Sequence, residues 1–168
     1  MSSTTQITKN SLRRASFAPN EFFNSQKAQE LKIVNYPSKS EELSILTCLM
    51  STADMLQEVR DLLNKPIHIN SAYRCLEVNR ALGSEDSSQH VQGLAADIIA
   101  PLFGTPEDIM RFLHSKNFLV DRCFTEGGWL HISRCLPKQV MNKDPNRMMY
   151  GYFLVDPKTK KRKFRPIA

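Results

Sequence analysis

Arg122-Cys123-Phe124-Thr125-Glu126-Gly127-Gly128-Trp129-Leu130-His131-Ile132-Ser133 is the stretch that decides the fold. Aromatic and apolar residues lie on either side of Gly127-Gly128, the composition of two strands joined by a two-residue hairpin turn. The strands are expected over Phe118 to Glu126 and Trp129 to Cys135. In such a hairpin Glu126 pairs with Trp129, and Phe124 with His131. Cross-strand partners share a face, and so do alternate residues along each strand. Glu126, Phe124, Trp129, His131 and Ser133 should therefore point one way. Glu126 then lies diagonal to His131, about 7 Å away in backbone terms. The same register sends Cys123 and Cys135 to opposite faces, which argues against a bridge between them.

Working outward, the chain supplies helices on the N-terminal side. Met1 to Ala18 is polar and rich in Ser, Thr and Asn, so a loose arm is expected. Pro19-Asn20-Glu21 should open a short helix with Phe22, Phe23 and Ala28 on one face. From Ser38 to Asn64, apolar residues recur at three- and four-residue steps: Leu43, Leu46, Leu49, Ala53, Leu56, Val59 and Leu63. This predicts a long core helix, with Ser40 as its N-cap and Asn64-Lys65-Pro66 as its stop. Ile67 to Ser71 alternates like a strand, and Cys75 to Leu82 reads as a short helix closed by Gly83. Ala95 to Ala100 reads as a buried strand. Thr105-Pro106-Glu107-Asp108 starts a further helix: Thr as cap, Pro in the first position, then acids. Arg147 to Val155 is a candidate strand. Helices plus an antiparallel hairpin make the class α+β, and the expected architecture is a small antiparallel sheet backed by helices. The expected divisions are an arm over 1–18, a main domain over 19–136, and an extension over 137–168 carrying one strand and a basic end.

The chemistry-bearing stretch is Ser88-Gln89-His90-Val91-Gln92-Gly93-Leu94-Ala95-Ala96-Asp97. His and Asp are ligand types that zinc accepts. Two ligands seven apart fit neither one helix face nor one strand. They fit a loop that carries His90, bends at Gly93 and runs into a strand carrying Asp97. His131 supplies a third candidate. On spacing alone, surface polar residues or a satisfied buried pair are the commoner meaning of such a His and Asp, and a metal site the rarer one.

Ser88-x-His90-x-x-Gly93-x-Ala95-x-Asp97, then Trp129-x-His131, resembles the signature of the M15 family of zinc peptidases. Asn70-Ser71-Ala72-Tyr73-Arg74 is similar to that family's Ser-Gly-Tyr-Arg segment. The resemblance covers roughly Phe17 to Arg134. It implies a zinc ion held by His90, Asp97 and His131 on the open face of the sheet. Three protein ligands leave a fourth tetrahedral position open, which marks a catalytic site. It also implies hydrolysis of peptidoglycan stem peptides, as in D-alanyl-D-alanine carboxypeptidases and phage endolysins. Glu126 would be the general base, and Arg74 would stabilise the oxyanion or hold a substrate carboxylate. Ser88 and Gln89 would line the substrate groove, while Tyr73 and Trp129 pack. Several branches of the family carry the catalytic acid three residues before the last ligand, where this chain has Gly128. Members with a longer hairpin place a Glu further upstream, as here. His114 is expected to face solvent at a helix end, and His68, on its strand, to be a half-buried structural histidine or else a group supporting the ligands.

Composition sets the remaining bounds. With 168 residues and 41% hydrophobic content, the chain has the material for one core. No run approaches the roughly 18 apolar residues of a membrane span, and Met1-Ser2-Ser3-Thr4-Thr5 lacks a signal's apolar segment. The expectation is synthesis in the cytoplasm, then action on the wall after release in a phage or prophage context. Cys48, Cys75, Cys123 and Cys135 show no CxxC spacing and are expected as free thiols. The net charge of +6 is concentrated in Lys158, Lys160, Lys161, Arg162, Lys163 and Arg165. Such an end suits an anionic cell-wall polymer, or is a solvated tail. Nucleic acid is an unlikely partner, because no basic–aromatic motif accompanies the charge. The other reading kept open is a zinc-binding relative without activity, serving as a virion or wall-recognition module.

Overall fold

The computed structural model describes residues 6–135, 148–155, 159 and 162–167. Two short 3-10 turns, Lys9–Leu12 and Pro19–Phe23, precede α1 (Gln26–Leu31) and α2 (Glu42–Leu63). Then follow β1 (His68–Ser71), α3 (Leu76–Ala81), β2 (Ala95–Ile99), α4 (Pro106–Ser115), β3 (Arg122–Glu126), β4 (Trp129–Ser133), β5 (Met149–Val155) and β6 (Arg162–Pro166). The class is α+β, with one six-stranded sheet in the order β1-β2-β4-β3-β5-β6.

The sheet is mixed where an antiparallel one was expected. The β3–β5 pair is parallel; the other four pairs are antiparallel. The cause is the path of the chain. β4 ends with Ser133 beside Arg122, the first residue of β3. The next strand starts at that same end, where the amides of Met148 and Met149 bond the carbonyls of Val120 and Asp121. It therefore runs alongside β3 in the same direction. β6, which was expected only as a basic tail, pairs with β5 and forms the sheet's edge.

α2 is the main support behind the sheet. Leu46, Leu49, Ala53, Leu56 and Val59 are fully buried at helical spacing. Each large aliphatic side chain so buried contributes roughly 1.5–3 kcal/mol. Leu43 does not join the stripe; it is exposed, because the helix starts at Glu42 and its first turn overhangs the core. Ser40 is not the cap. The amides of Glu41 and Glu42 instead reach the Ser38 carbonyl. α4 begins as expected, with the Thr105 hydroxyl accepting the Asp108 amide at 3.2 Å.

The arm expected to be loose through Ala18 packs from its middle onward. Leu12 and Phe17 are buried in the core, and Arg14 pairs with Asp54 of α2 at 2.5 Å. Their apolar area outweighs the polar composition around them. The helix expected at Pro19 is broken at Asn24. Ser25 caps a new start by accepting the Ala28 amide. No helix among the described residues is long and apolar enough to cross a membrane.

Candidate metal centre

One transverse row of the sheet holds the site together. Ser71 pairs with Asp97, Asp97 with His131, and His131 with Phe124, across β1, β2, β4 and β3. Residues in register across a sheet share a face. Four positions drawn from distant parts of the chain thus face one opening. The intervening residues Ala96, Ile98, Leu130 and Ile132 point the other way into the core.

His90 reaches this row from a loop. The loop turns at Gly93, where φ is 72°, and a Cβ there would meet the Ile45 carbonyl and Leu49 side chain at 3.1 Å. Only glycine fits both the backbone angle and the close approach to α2. Buried Thr52 of α2 donates to the Gly93 carbonyl at 2.8 Å and pins the turn. The His90 ring then meets the Ala72 carbonyl through Nδ1 at 2.7 Å. A carbonyl can only accept, so Nδ1 carries the proton and Nε2 presents its lone pair.

That lone pair points at Asp97. His90 Nε2 lies 3.2 Å from Asp97 Oδ1, and His131 Nδ1 lies 3.0 Å from the same oxygen. The two imidazoles meet edge to face with centroids 5.1 Å apart. All three side chains are buried, and their ligand atoms fall within 4.8 Å of one another. Two imidazole nitrogens and one carboxylate oxygen are the donor set that a divalent zinc-like ion accepts. The electrostatics agree with this. Burial by itself opposes ionisation of Asp97, but the two imidazoles outweigh it and hold the carboxyl far below the usual carboxylate range. Burial lowers the pKa of His131, with Asp97 opposing, and favours the neutral ring that ligates.

Arg74 orients the carboxylate. Its Nη2 donates to Asp97 Oδ2 at 2.5 Å and its Nε to Ser71 Oγ at 2.8 Å. Oδ1 is thereby turned toward the imidazoles, and Nη1 has no partner among the described residues. Second-sphere partners of this kind hold ligands in place. The segment carrying Arg74 is itself clamped by buried Asn35. Its side-chain amide donates to the carbonyls of Phe23 and Tyr73 and accepts the Cys75 amide, each at 2.9 Å.

The cleft above the ligands has a volume of about 520 Å³. Ser88 and Gln89 line it, together with Arg122, Phe124 and Phe153. Gln89 is also held from below, donating to buried Asp121 at 2.8 Å. Phe124 stacks on His131 at 4.5 Å between ring centroids. Asp121, Phe124 and Phe153 carry no local sequence signal of a site, because only the lateral order of the strands brings them to the cleft. Tyr73 packs as expected, with burial pushing its hydroxyl up to about 12. Trp129 does not pack fully. It is 37% exposed and lines a neighbouring cleft with Arg74, Asp97 and Asn70.

Glu126 pairs with Trp129 by its backbone, in the register expected for a two-residue turn. Its side chain lies outside the described part of the structure. His68 is exposed at the far end of β1, not half-buried, and His114 is exposed on α4. Cys48, Cys75 and Cys123 are free thiols, and burial of Cys123 pushes its thiol far up, leaving it inert.

With this geometry in place, comparison with known proteins adds one finding. A family model described as Peptidase M15 matches residues 15–133, well over half of the chain. No curated protein matches the chain.

Proposed function

Because the chain belongs to the M15 peptidase family, we propose that it is a zinc-dependent peptidase of the stem peptides of peptidoglycan, an endolysin-type wall hydrolase. The observation that carries this reading is the convergence of His90 Nε2, Asp97 Oδ1 and His131 Nδ1 under an open cleft. Zinc held there would polarise the scissile carbonyl and bring the pKa of a water to about 7.

The chain's own residues supply the rest. Glu126 takes the proton of the attacking water and returns it to the leaving amine. The β3–β4 register supports this role, since Glu126 follows Phe124 by two residues on the strand beside His131. Arg74 keeps Asp97 oriented and ionised, and its remaining Nη1 donors face the oxyanion or a substrate carboxylate. Ser88 and Gln89 hold the peptide along the cleft. Phe124 covers one face of the His131 ring and keeps bulk water from it.

Digestion of purified peptidoglycan by the zinc-loaded protein, followed by mass analysis, tests this reading. The expected fragments carry new amino and carboxyl ends within the stem peptide. His131→Ala should lose most of its zinc and all measurable release. An intact wall in the presence of fully zinc-loaded protein would leave a recognition module instead. Full zinc occupancy in His131→Ala would remove His131 from the ligand set.

A further inference from the structure

One wall of the cleft lies beyond the family match. The match ends at residue 133, whereas β5 and β6 follow it. β5 brings Phe153 into the cleft, its ring edge-on to Phe124 with centroids 4.8 Å apart. Phe164 of β6 backs both rings, 5.5 Å from Phe153 and 6.4 Å from Phe124. An aromatic series therefore runs from the edge hairpin to the metal ligand His131.

Arg122 stands on the same side of this cleft. Strand alternation puts it on the face of Phe124, two residues and roughly 7 Å along β3. Its side chain lines the cleft and is 41% exposed. Among the described residues its guanidinium has one charged neighbour, Asp121 Oδ2 at 3.8 Å, beyond hydrogen-bond range. That oxygen already accepts Gln89. Arg74, the other arginine of the cleft, gives Nε and Nη2 to Ser71 and Asp97 and keeps only Nη1 for a substrate, whereas among the described residues the whole fork of Arg122 is available. Glu85, on the facing 83–88 loop, also lines the cleft and would repel an anion placed on its own side. An anionic group entering the cleft is thus directed toward Arg122. A half-solvated guanidinium whose donor fork has no hydrogen-bond partner among the described residues is suited to a carboxylate held through two parallel hydrogen bonds. The Phe153 ring offers apolar surface in the same cleft for the carbon chain bearing that carboxylate.

We propose that Arg122 is a specificity-determining residue that binds a carboxylate of the peptide substrate, with Phe153 packing against the stem that carries it. The inference rests on the peptidase reading above. The carboxylate can belong to a side chain or to the end of the peptide, and the two sources are separable.

The test uses three peptides cut by the zinc-loaded protein: a parent, one with its C-terminal carboxylate amidated, and one with its side-chain carboxylate amidated. The expected result is that one amidation lowers kcat/KM about ten- to a hundredfold, the range of a charge-assisted pair, mainly through KM. In Arg122→Gln the ratio between parent and that amide should fall to near one, and Arg122→Lys should keep part of it. Because the readout is a ratio within one protein, a general loss of activity does not move it. The same ratio is read from Kd by titrating peptide into zinc-loaded protein. Absence of all cleavage would therefore sink the peptidase reading while Kd still tests Arg122. Neither amidation mattering in the wild-type protein, or an undiminished ratio in Arg122→Gln, would overturn the proposal.

Discussion

At the scale of single residues, the proposed base Glu126 and the candidate ligands His90, Asp97 and His131 face opposite demands. A ligand must present a lone pair continuously, and the surrounding hydrogen bonds enforce this. Ala72 fixes the tautomer of His90, and Arg74 fixes the rotation of Asp97. A general base must instead accept a proton and then release it, which suits a carboxylate beside the ligands but outside their set. The backbone register, with Glu126 two residues beyond Phe124, is the basis for proposing it. Glu126→Gln keeps size and much of the hydrogen bonding but cannot take the proton. It is expected to retain zinc and fold while losing about a hundred- to ten-thousandfold in turnover. Loss of zinc from this variant would make Glu126 a ligand. Near-normal turnover with zinc bound would move the base elsewhere.

At the scale of elements, the β5–β6 pair depends on one glycine. A Cβ on Gly151 would meet a backbone carbonyl, that of Arg165, and would lie 2.6 Å from the Phe164 ring. The bare glycine lets Phe164 cross the strand toward Phe124. Overpacking of this kind typically costs about 1–3 kcal/mol, and a backbone clash leaves few ways to relieve it. Gly151→Ala is therefore expected to lower Tm by several degrees, following the scaling of about 4–8 °C per kcal/mol for smaller domains and 2–4 °C for larger ones. It should also weaken peptide binding while zinc content stays near that of the wild-type protein, since no ligand lies on β5 or β6. Unchanged Tm and unchanged peptide affinity together would show that the aromatic series does not depend on this crossing.

At the scale of the whole molecule, the positive excess clusters near the end of the sequence, and part of the cluster stands on the sheet. Lys163 and Arg165 are exposed on β6, the last strand. Lys158, Lys160 and Lys161 belong to the same sequence cluster and lie outside the described residues. Charged side chains on an edge strand discourage pairing with another chain. The same charges would attract an anionic wall polymer over roughly a Debye length, about 8–10 Å at ordinary salt. Replacing Lys158, Lys160, Lys161 and Lys163 with Gln should weaken sedimentation with purified wall at low salt and matter little at high salt. An affinity unchanged at low salt would leave the cluster as protection of the edge alone.

How much of this was legible beforehand follows from the range of each interaction. The sequence by itself determined what depends on neighbours a few residues apart. Gly127-Gly128 set the hairpin turn and hence the Phe124–His131 register, and the three- and four-residue spacing set α2. Ligand chemistry was also readable, because His and Asp carry it wherever they lie. Only the tertiary structure decided what depends on the path of the chain. The row Ser71, Asp97, His131 and Phe124 joins strands whose lateral order no local pattern states. The parallel entry of β5, which brings Phe153 to the cleft, follows from where β4 ends. The burial of Leu12 and Phe17 overrode a polar local composition, because apolar area removed from water acts whatever the sequence separation. The hydrogen bonds of Arg74 and the lack of any for Arg122 among the described residues are likewise three-dimensional facts. Both are arginines in the sequence, and only the carboxylates that happen to reach them tell the two apart.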